Sequence, residues 1–278
     1  MGSQTAASTV RPAAYCGVVG FKPTLGLIST AGIKALAGSM DTVGMFARNV
    51  TDIKLLFDGL NGLYEMNYRK STIERASTQR GSMPVDGLSF RIWNEGEHDF
   101  MSSQVASYFD RVISEISSLG IETLTPAGTK STQPLYLVQT DLMAFEAVRE
   151  LAFEYHFHND QLSDVLKEFL AQGSLKSDAD WLEACQVRDE SLRSLDKYFG
   201  TAEILIMPST ADYAPLVEQG TGDPIMSRAW TLLGLPSLSL PLLNDGLEMP
   251  LGIQLAARPG QDQLLLRVAS WLEHALSS

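Results

Sequence analysis

Ser8 is the residue whose type and surroundings most directly suggest chemistry. It follows a run of small and polar residues that begins at Gly2, and Arg11 and Pro12 come shortly after it. Backbone N–H groups can converge in such a loop and stabilise the oxyanion that forms when a hydroxyl attacks a carbonyl carbon. A serine hydroxyl is a weak nucleophile until a base activates it. On spacing alone, a serine in a small-residue loop is far more often part of a turn or a helix cap than a nucleophile.

No base is linked to Ser8 by a recognisable spacing. The sequence has no G-x-S-x-G elbow and no His-plus-acid pair tied to this serine. Lys22 is the nearest lysine, and we interpret it as structural rather than as the base; Lys34 is a weaker candidate. His156 and His158 stand two positions apart, which places them on different faces of a helix and disfavours a shared metal site.

The order of residues around Ser8 resembles the core of the amidase signature family. The resemblance begins in residues 2–24 and returns near the other end of the chain. Its further segments are residues 29–32, 39–44, 47–48, 207–209, 234–241 and 250–255. Residues 126–200 contribute little, and the resemblance implies that this variable helical region shapes the substrate pocket.

The resemblance implies an amide hydrolase that uses a Ser–cis-Ser–Lys triad. Ser8 matches the nucleophile, and the backbone N–H groups of Thr5, Ala6, Ala7 and Ser8 match the oxyanion hole. The implied reaction cleaves a small-molecule amide, ester or urethane through a serine acyl-enzyme. It requires neither a metal nor an organic cofactor.

Further residues match supporting positions of the family. Gln4 and Arg11 correspond to residues that support the nucleophile loop. Asp41 matches an acid that we interpret as a turn-fixing carboxylate rather than a catalytic one. Tyr213 and Phe145 lie in segments that the resemblance places along the acyl pocket.

Two departures from the family pattern bear on activity. The family's lysine and cis-serine precede the nucleophile motif, yet only six residues separate Met1 from Ser8. We therefore expect the C-terminal part of an amidase-signature domain, with the N-terminal part missing. The alternative is a catalytically incomplete fragment or pseudoenzyme that only binds, or that needs a complementing chain. The second departure is Ala7, which would be strained if its position required a positive φ.

Residue patterns predict the elements that must hold this loop. Alternation and helical spacing predict a parallel βαβ unit over residues 88–124 and an almost wholly helical region, in three helices, over 134–199. The remaining predicted elements are a buried strand at 203–208, a helix near 224–234, strands at 237–240 and 251–256, and a final helix at 261–274. The fold class is α/β, with a mixed β-sheet covered by helices on both faces.

We expect one domain over residues 1–278 that is incomplete at its N-terminal side. Its parts are a signature core at 1–60, the variable helical region at 126–200 and a C-terminal sheet and helix at 201–278. Residues 2–48 suggest loops and short strands laid over a larger body. Thr51 is predicted to cap the following helix, and 64–85 to be an exposed connection. The four-residue spacing of Glu146, Glu150 and Glu154 predicts a solvated helix face.

Composition narrows the possible partners and compartments. The 278 residues include 21 Lys and Arg against 33 Asp and Glu, a net charge of −12 that disfavours nucleic acid and anionic membranes as partners. Two distant cysteines exclude a disulfide framework. Without a membrane-spanning apolar run or a visible signal peptide, we expect a cytoplasmic protein. A homo-oligomer is a further possibility.

Overall fold

An eight-stranded mixed sheet forms the centre of the molecule. The computed structural model describes residues 1–67, 87–93, 100–124, 132–243 and 246–276. The strands are β1 (Gly2–Gln4), β2 (Val19–Lys22), β3 (Thr42–Ala47), β4 (Ser89–Ile92), β5 (Glu122–Leu124), β6 (Ile204–Pro208), β7 (Ser237–Leu240) and β8 (Ile253–Ala257). Their order across the sheet is β1-β3-β2-β7-β8-β6-β4-β5.

Helices occupy much of the rest of the described chain. They are α1 (Val10–Tyr15), α2 (Val50–Asn67), α3 (Ser103–Ser118), α4 (Gln133–Glu150), α5 (Ala152–Phe157), α6 (Asp164–Ser174), α7 (Asp178–Arg193), α8 (Asp196–Phe199), α9 (Ile225–Leu232) and α10 (Asp262–Ala275). The α/β class and the mixed sheet predicted from the sequence are confirmed.

Strand direction divides the sheet into two parts. β4 runs parallel to both β5 and β6, so the predicted βαβ unit is confirmed, with Ser89 opposite Glu122. The other pairings in the sheet are antiparallel. β2 pairs with β7, which places Phe21 opposite Leu238. The start and the end of the chain therefore meet in the middle of the sheet.

Alternating strand residues send side chains to both faces of the sheet, as β6 illustrates. Ile204 and Ile206 join an apolar cluster with residues of α2, α3 and α10. Leu205 and Met207 join a second cluster, to which α4, α7 and α9 contribute. Both faces are thus covered by helices, as the sequence predicts, and the buried β6 run is apolar throughout for this reason.

The short strands predicted within residues 2–48 are confirmed, but the prediction that this stretch is laid over a larger body was wrong. This stretch supplies β1, β2 and β3, which are three of the strands of the sheet, as well as α1. The cap of α2 also differs from the prediction, because Asn49 rather than Thr51 provides it. The Asn49 Oδ1 accepts a hydrogen bond from the Asp52 N–H at 2.8 Å. Residues 64–67 of the connection predicted at 64–85 instead belong to α2, and the rest of it lies outside the described residues.

The helical region contains more breaks than the sequence pattern indicates. Five α-helices, α4 to α8, replace the three that were predicted. Expected breaks near 159 and 173 are present, and Ser163 and Ser177 cap the helices that follow them. Further breaks fall at Leu151 and after Arg193, where no glycine or proline marks them.

Candidate active site

Ser8 lies on a short loop between β1 and α1. Its side chain is exposed, whereas Ala7 beside it is buried. Leu243 is the one non-glycine residue of the described ranges with a positive φ, so the strain considered for Ala7 does not arise. The loop therefore exposes Ser8 at the surface, while the neighbouring Ala7 is packed in the interior.

Carbonyl groups anchor this loop to two helices that are distant in sequence. The Thr5 carbonyl accepts a hydrogen bond from Gln139 Nε2 on α4 at 3.2 Å. The Ala6 carbonyl accepts one from Thr231 Oγ1 on α9 at 2.6 Å. Both anchoring side chains are buried. They fix the orientation of two successive peptide groups just before the serine.

The carbonyl and N–H groups of the same loop differ in their hydrogen bonding. The Ala7 carbonyl accepts from the Arg11 N–H at 3.0 Å as α1 begins. In contrast, the N–H groups of Ala6, Ala7 and Ser8 donate to no acceptor within the described ranges. Anchored carbonyls and free N–H groups are the arrangement that an oxyanion hole requires.

Gln4 is the residue that joins the loop to the start of α1. Its side chain is fully buried, and its Oε1 accepts from the Thr9 N–H at 2.8 Å and the Val10 N–H at 3.1 Å. Its Nε2 donates to Thr231 Oγ1 at 2.8 Å. Thr9 makes no side-chain cap of its own. Gln4 thus satisfies N–H groups at the first turn of α1 that a helix leaves unpaired.

Asp41 fixes two stretches of backbone at once. Its Oδ2 accepts from the N–H groups of Leu36 and Ala37 at 2.8 and 3.0 Å. Its Oδ1 accepts from the Thr5 hydroxyl at 2.5 Å. These are the contacts of a turn-fixing carboxylate, and they connect the 30–41 loop to the residue that precedes Ala6.

Two glycines allow α1 to approach the sheet closely. A side chain at Gly44 on β3 would place its Cβ 2.0 Å from Thr9 Oγ1. A Cβ at Gly20 on β2 would lie 2.4 Å from the Cβ of Ala13. These two positions must therefore be glycine for α1 to pack this closely on the sheet.

Arg11 joins α1 to the loop before α9. Its guanidinium donates to the Gly222 carbonyl at 2.5 Å and to Thr221 Oγ1 at 3.0 Å. Burial lowers the pKa of Arg11, and the nearby Arg228 guanidinium lowers it too, while Tyr15 and the Asp223 carboxylate act in the opposite direction. Arg11 therefore lies in a partly buried environment with a second cation close by.

Phe145 and Tyr213, the two residues that the resemblance places along the acyl pocket, pack against residues outside the nucleophile loop. Phe145 is buried with its ring stacked on Trp181 of α7 at a centroid distance of 5.8 Å, and the Arg149 guanidinium lies 3.2 Å from the Phe145 ring centroid. Tyr213 is partly buried against the apolar cluster that contains α2, α3 and α10. The contacts found for the loop instead involve Gln139 and Thr231, which the sequence analysis missed.

Neither lysine considered as the base, Lys22 or Lys34, forms a hydrogen bond with Ser8. Within the described part of the chain, the Ser8 hydroxyl makes no hydrogen bond. Lys22 is fully buried, and its Nζ donates to the Pro23 carbonyl at 2.9 Å. Lys34 forms an ion pair with Glu154 at 2.8 Å.

The described ranges contain neither a candidate metal site nor a candidate membrane-spanning helix. No group of three or more His, Cys, Asp or Glu side chains there could hold a metal ion. Nor is any helix in those ranges both long enough and apolar enough to cross a bilayer.

Known proteins resemble this chain in both sequence and fold. The Amidase family model matches residues 1–266. A glutamyl-tRNA(Gln) amidotransferase subunit from a Picosynechococcus species is 29% identical over 309 aligned positions, which cover 99% of this chain and 64% of that protein. The corresponding mitochondrial protein of Mus musculus is 28% identical, with 98% of this chain and 58% of that protein covered. The chain thus spans less than two thirds of the length of these relatives.

Solved structures share the fold. A crystal structure of an amidase superposes with a TM-score of 0.84 at 25% identity, over 99% of this chain and 62% of that one. Fatty acid amide hydrolase superposes with a TM-score of 0.81 at 17% identity, covering 56% of its own chain, which shows a shared fold alone. Because the family model matches residues 1–266 of the 278 in this chain, the chain belongs to the Amidase family.

Proposed function

We propose that Ser8 is the nucleophile of an amide-cleaving acyl transfer. The observation that carries this proposal is the contrast within one loop. The carbonyls of Thr5, Ala6 and Ala7 are anchored, whereas the N–H groups of Ala6, Ala7 and Ser8 are free among the described residues. Those N–H groups lie beside an exposed hydroxyl. They supply the donors that a developing oxyanion needs.

The proposed reaction proceeds in two steps. Ser8 Oγ loses its proton to a base and bonds to the carbonyl carbon, so that the carbonyl oxygen becomes an oxyanion beside the free N–H groups. The C–N bond of an amide, or the C–O bond of an ester, then breaks, and the amine or alcohol leaves with a proton. Water attacks the acyl-enzyme ester, which releases the carboxylic acid and returns the proton to Ser8. The substrate class is a small-molecule amide, ester or urethane.

The base is the part of this mechanism that the described residues do not supply. By resemblance, it is a lysine acting through a second serine, and neither matches a residue near Ser8. We propose that both come from polypeptide outside residues 1–278. The coverage of 64% of the cyanobacterial relative supports this, because more than a third of that protein has no counterpart here.

Covalent labelling tests the role of Ser8. A fluorophosphonate probe forms a stable bond to an activated serine, and peptide mass spectrometry locates it. In the presence of the polypeptide that supplies the base, we expect the label on the peptide that contains Ser8, and its loss in Ser8→Ala. Ser3→Ala is the matched control, because Ser3 is also exposed and lies on the adjacent β1. Labelling that survives in Ser8→Ala would contradict the proposal.

Substrate turnover gives a second test. A chromogenic anilide should be cleaved faster by the wild-type chain than by Ser8→Ala, in the presence of whatever polypeptide completes the site. Equal rates for the two proteins would contradict a role for Ser8. We place this activity in the cytoplasm.

A second candidate function is binding without catalysis, or complementation by another chain. It is favoured by the position of β1 at one end of the sheet order, with Gly2 and Ser3 exposed. A cavity of about 470 Å³ adjoins them and is lined by Ile28, Val43 and other residues. An unpaired strand edge invites pairing with another strand. Native mass spectrometry tests this: a homo-oligomer or a stable heterocomplex is expected, and a monomer under all conditions would contradict it.

A further inference from the structure

Gln139 is a fully buried amide of α4 that contacts the backbone of the nucleophile loop, residues 5–9. Its Nε2 donates to the Thr5 carbonyl at 3.2 Å, three residues before Ser8. The residue belongs to the variable helical region, which the sequence connects only with the substrate pocket. That region therefore reaches the backbone of the loop directly, through this one side chain.

The bond to the Thr5 carbonyl also sets the direction of the Ala6 N–H. Both groups belong to one planar trans peptide, in which the C=O and the N–H point in opposite directions. The Ala6 N–H is one of the three loop donors that make no hydrogen bond within the described ranges. Gln139 holds one side of this peptide and thereby aims the donor on its other side.

The other two loop donors are aimed by groups that the fold itself uses. Thr231 holds the next carbonyl of the loop and also accepts a hydrogen bond from Gln4. The Ala7 carbonyl accepts from the Arg11 N–H as α1 begins, which is an ordinary bond of a helix start. The bond made by Gln139 has no such second purpose.

The surroundings of Gln139 do not satisfy its amide. Its Oε1 is buried and has no hydrogen-bond partner among the described residues. Apart from the Thr5 carbonyl, Nε2 faces Met143 Sδ at 3.5 Å and Met40 Sδ at 4.0 Å, and thioether sulfurs are weak acceptors. A buried polar atom without a partner destabilises the folded state. The amide therefore gains one neutral hydrogen bond and leaves one acceptor unpaired.

Gln254 on β8 is a useful comparison, because it is also fully buried. Its Oε1 accepts from the Ser227 hydroxyl at 2.6 Å, and its Nε2 donates to the Met226 carbonyl at 3.0 Å. Both ends of this amide are partnered, and neither contacts the nucleophile loop. The two glutamines are thus equally buried, but only Gln254 is satisfied in the way that a structural amide requires.

We propose that Gln139 is a positioning residue for the oxyanion hole, and that its buried amide serves the reaction rather than the stability of the fold. This inference rests on the proposed role of Ser8, because an oxyanion forms only if that serine attacks a carbonyl carbon. It gives the variable helical region a part in acyl transfer that is separate from shaping the substrate pocket. An apolar side chain at this position should slow the reaction without weakening the fold.

Kinetics of Gln139→Met test the first part of the proposal. Methionine keeps the length and the helix propensity of the side chain but removes both polar atoms. With the polypeptide that supplies the base present, kcat for a chromogenic anilide should fall by about tenfold or more, because a lost oxyanion donor costs about 100–1000-fold. KM should change by less than about twofold, since these donors act mainly in the transition state. An unchanged kcat would overturn the proposal.

Urea unfolding of the same variant tests the second part. The midpoint of Gln139→Met should equal or exceed that of the wild-type chain, because the unpaired acceptor is gone. Gln254→Met is the matched control. It should lower the midpoint, because it removes a satisfied amide, and it should leave kcat unchanged. A Gln139→Met protein that is less stable or does not fold, or a similar fall of kcat in both variants, would show a structural role and overturn the proposal.

Backbone NMR of the chain alone tests the geometry without turnover. With isotope-labelled alanine, Gln139→Met should shift the Ala6 amide signal, because the bond at the Thr5 carbonyl polarises the same peptide. The signal of Ala106 on α3 should stay in place, and Gln254→Met should move neither. An Ala6 signal that does not move in Gln139→Met would contradict the anchor.

The two proposals fail in different ways. If the Ala6 signal moves but fluorophosphonate does not label Ser8 with the completing polypeptide present, the serine assignment is wrong, and the oxyanion role of Gln139 is wrong with it. If Ser8 is labelled and Gln139→Met changes neither kcat nor the Ala6 signal, the inference about Gln139 alone is wrong.

Discussion

Gln4 and Thr231 are 227 positions apart in the chain and are joined by a buried hydrogen bond of 2.8 Å. The same Thr231 hydroxyl also donates a hydrogen bond to the Ala6 carbonyl at 2.6 Å. Gln4 in turn holds the first N–H groups of α1. The backbone on both sides of Ser8 is therefore positioned by one side-chain pair.

Removal of the Thr231 hydroxyl should weaken both the fold and the site. Thr231→Val preserves shape but leaves Gln4 Nε2 and the Ala6 carbonyl without partners, which costs about 1–3 kcal/mol. We expect a lower urea midpoint and, with the polypeptide that supplies the base present, slower fluorophosphonate labelling of Ser8. Thr231→Ser should restore both. Thr51→Val is the control, because Thr51 is exposed on α2; an equal loss there would argue against a specific role for Thr231.

A methyl group at Gly44 should push Thr9 and α1 away from the sheet. The new Cβ would lie 2.0 Å from Thr9 Oγ1, and overpacking of this kind costs about 1–3 kcal/mol. Thr9→Ala in the same protein should recover part of the loss, which a double-mutant cycle of unfolding free energies would measure. Gly59→Ala on α2 has open space around it and should be neutral or stabilising. Strict additivity of the Gly44 and Thr9 changes would contradict the proposed contact.

Lys22 should make stability rise with pH above neutrality. Burial lowers the pKa of Lys22 from 10.5 to about 7, although the nearby Asp262 carboxylate acts in the opposite direction. Between pH 7 and 10.5 the unfolded chain binds more protons than the folded one, so the free energy of unfolding increases with pH, by at most about 1.4 kcal/mol per pH unit. Unfolding in urea at pH 7, 8 and 9 measures the slope.

Two variants separate this effect from other titrations. Lys22→Met removes the buried amine and should flatten the slope, whereas Lys197→Met removes an exposed lysine and should not. A slope that persists in Lys22→Met would show that another group causes it.

Glu146 should couple α7 to the 30–41 loop. Its Oε2 accepts from the Ser39 N–H at 3.0 Å, and its Oε1 accepts from Trp181 Nε1 at 3.2 Å. Glu146→Leu leaves both donors without an acceptor, for a loss of about 1–3 kcal/mol, and it should shift the fluorescence of Trp181. Glu150→Leu, which alters an exposed neighbour on the same helix, serves as the control. An unchanged emission spectrum in Glu146→Leu would argue against this link.

Local residue patterns predicted the helices and strands whose periodicity is visible within a single segment of the sequence. The β4-α3-β5 unit and α10 follow from alternation and helical spacing within single segments. For residues 2–48 they predicted short strands, but neither the bounds of the three strands nor their place in the central sheet, because short strands rich in glycine carry almost no periodicity. Gly44 is small because Thr9 packs on it, and such a contact is invisible until the fold is known.

The candidate site was predictable only in part, for a related reason. The order of residues around Ser8 predicted the nucleophile loop. Gln139 and Thr231, which anchor that loop, lie in segments whose sequence pattern does not indicate a contact with it. Glu146 shows the same limit. Its four-residue spacing with Glu150 predicts a solvated face, yet the fold brings Trp181 and Ser39 onto it. Long-range packing decides which polar side chains become structural.

The separation of Gln4 from Thr231 in the sequence also determines when their contact can form during synthesis of the chain. A growing chain is made from its first residue onwards, at about 5–20 residues per second. The ribosome must therefore add 227 residues after Gln4 before Thr231 exists, which takes roughly 11–45 seconds at those rates. Throughout that interval the Ala6 carbonyl lacks its anchor. A nascent chain thus carries the serine long before it can hold that serine in a reactive geometry.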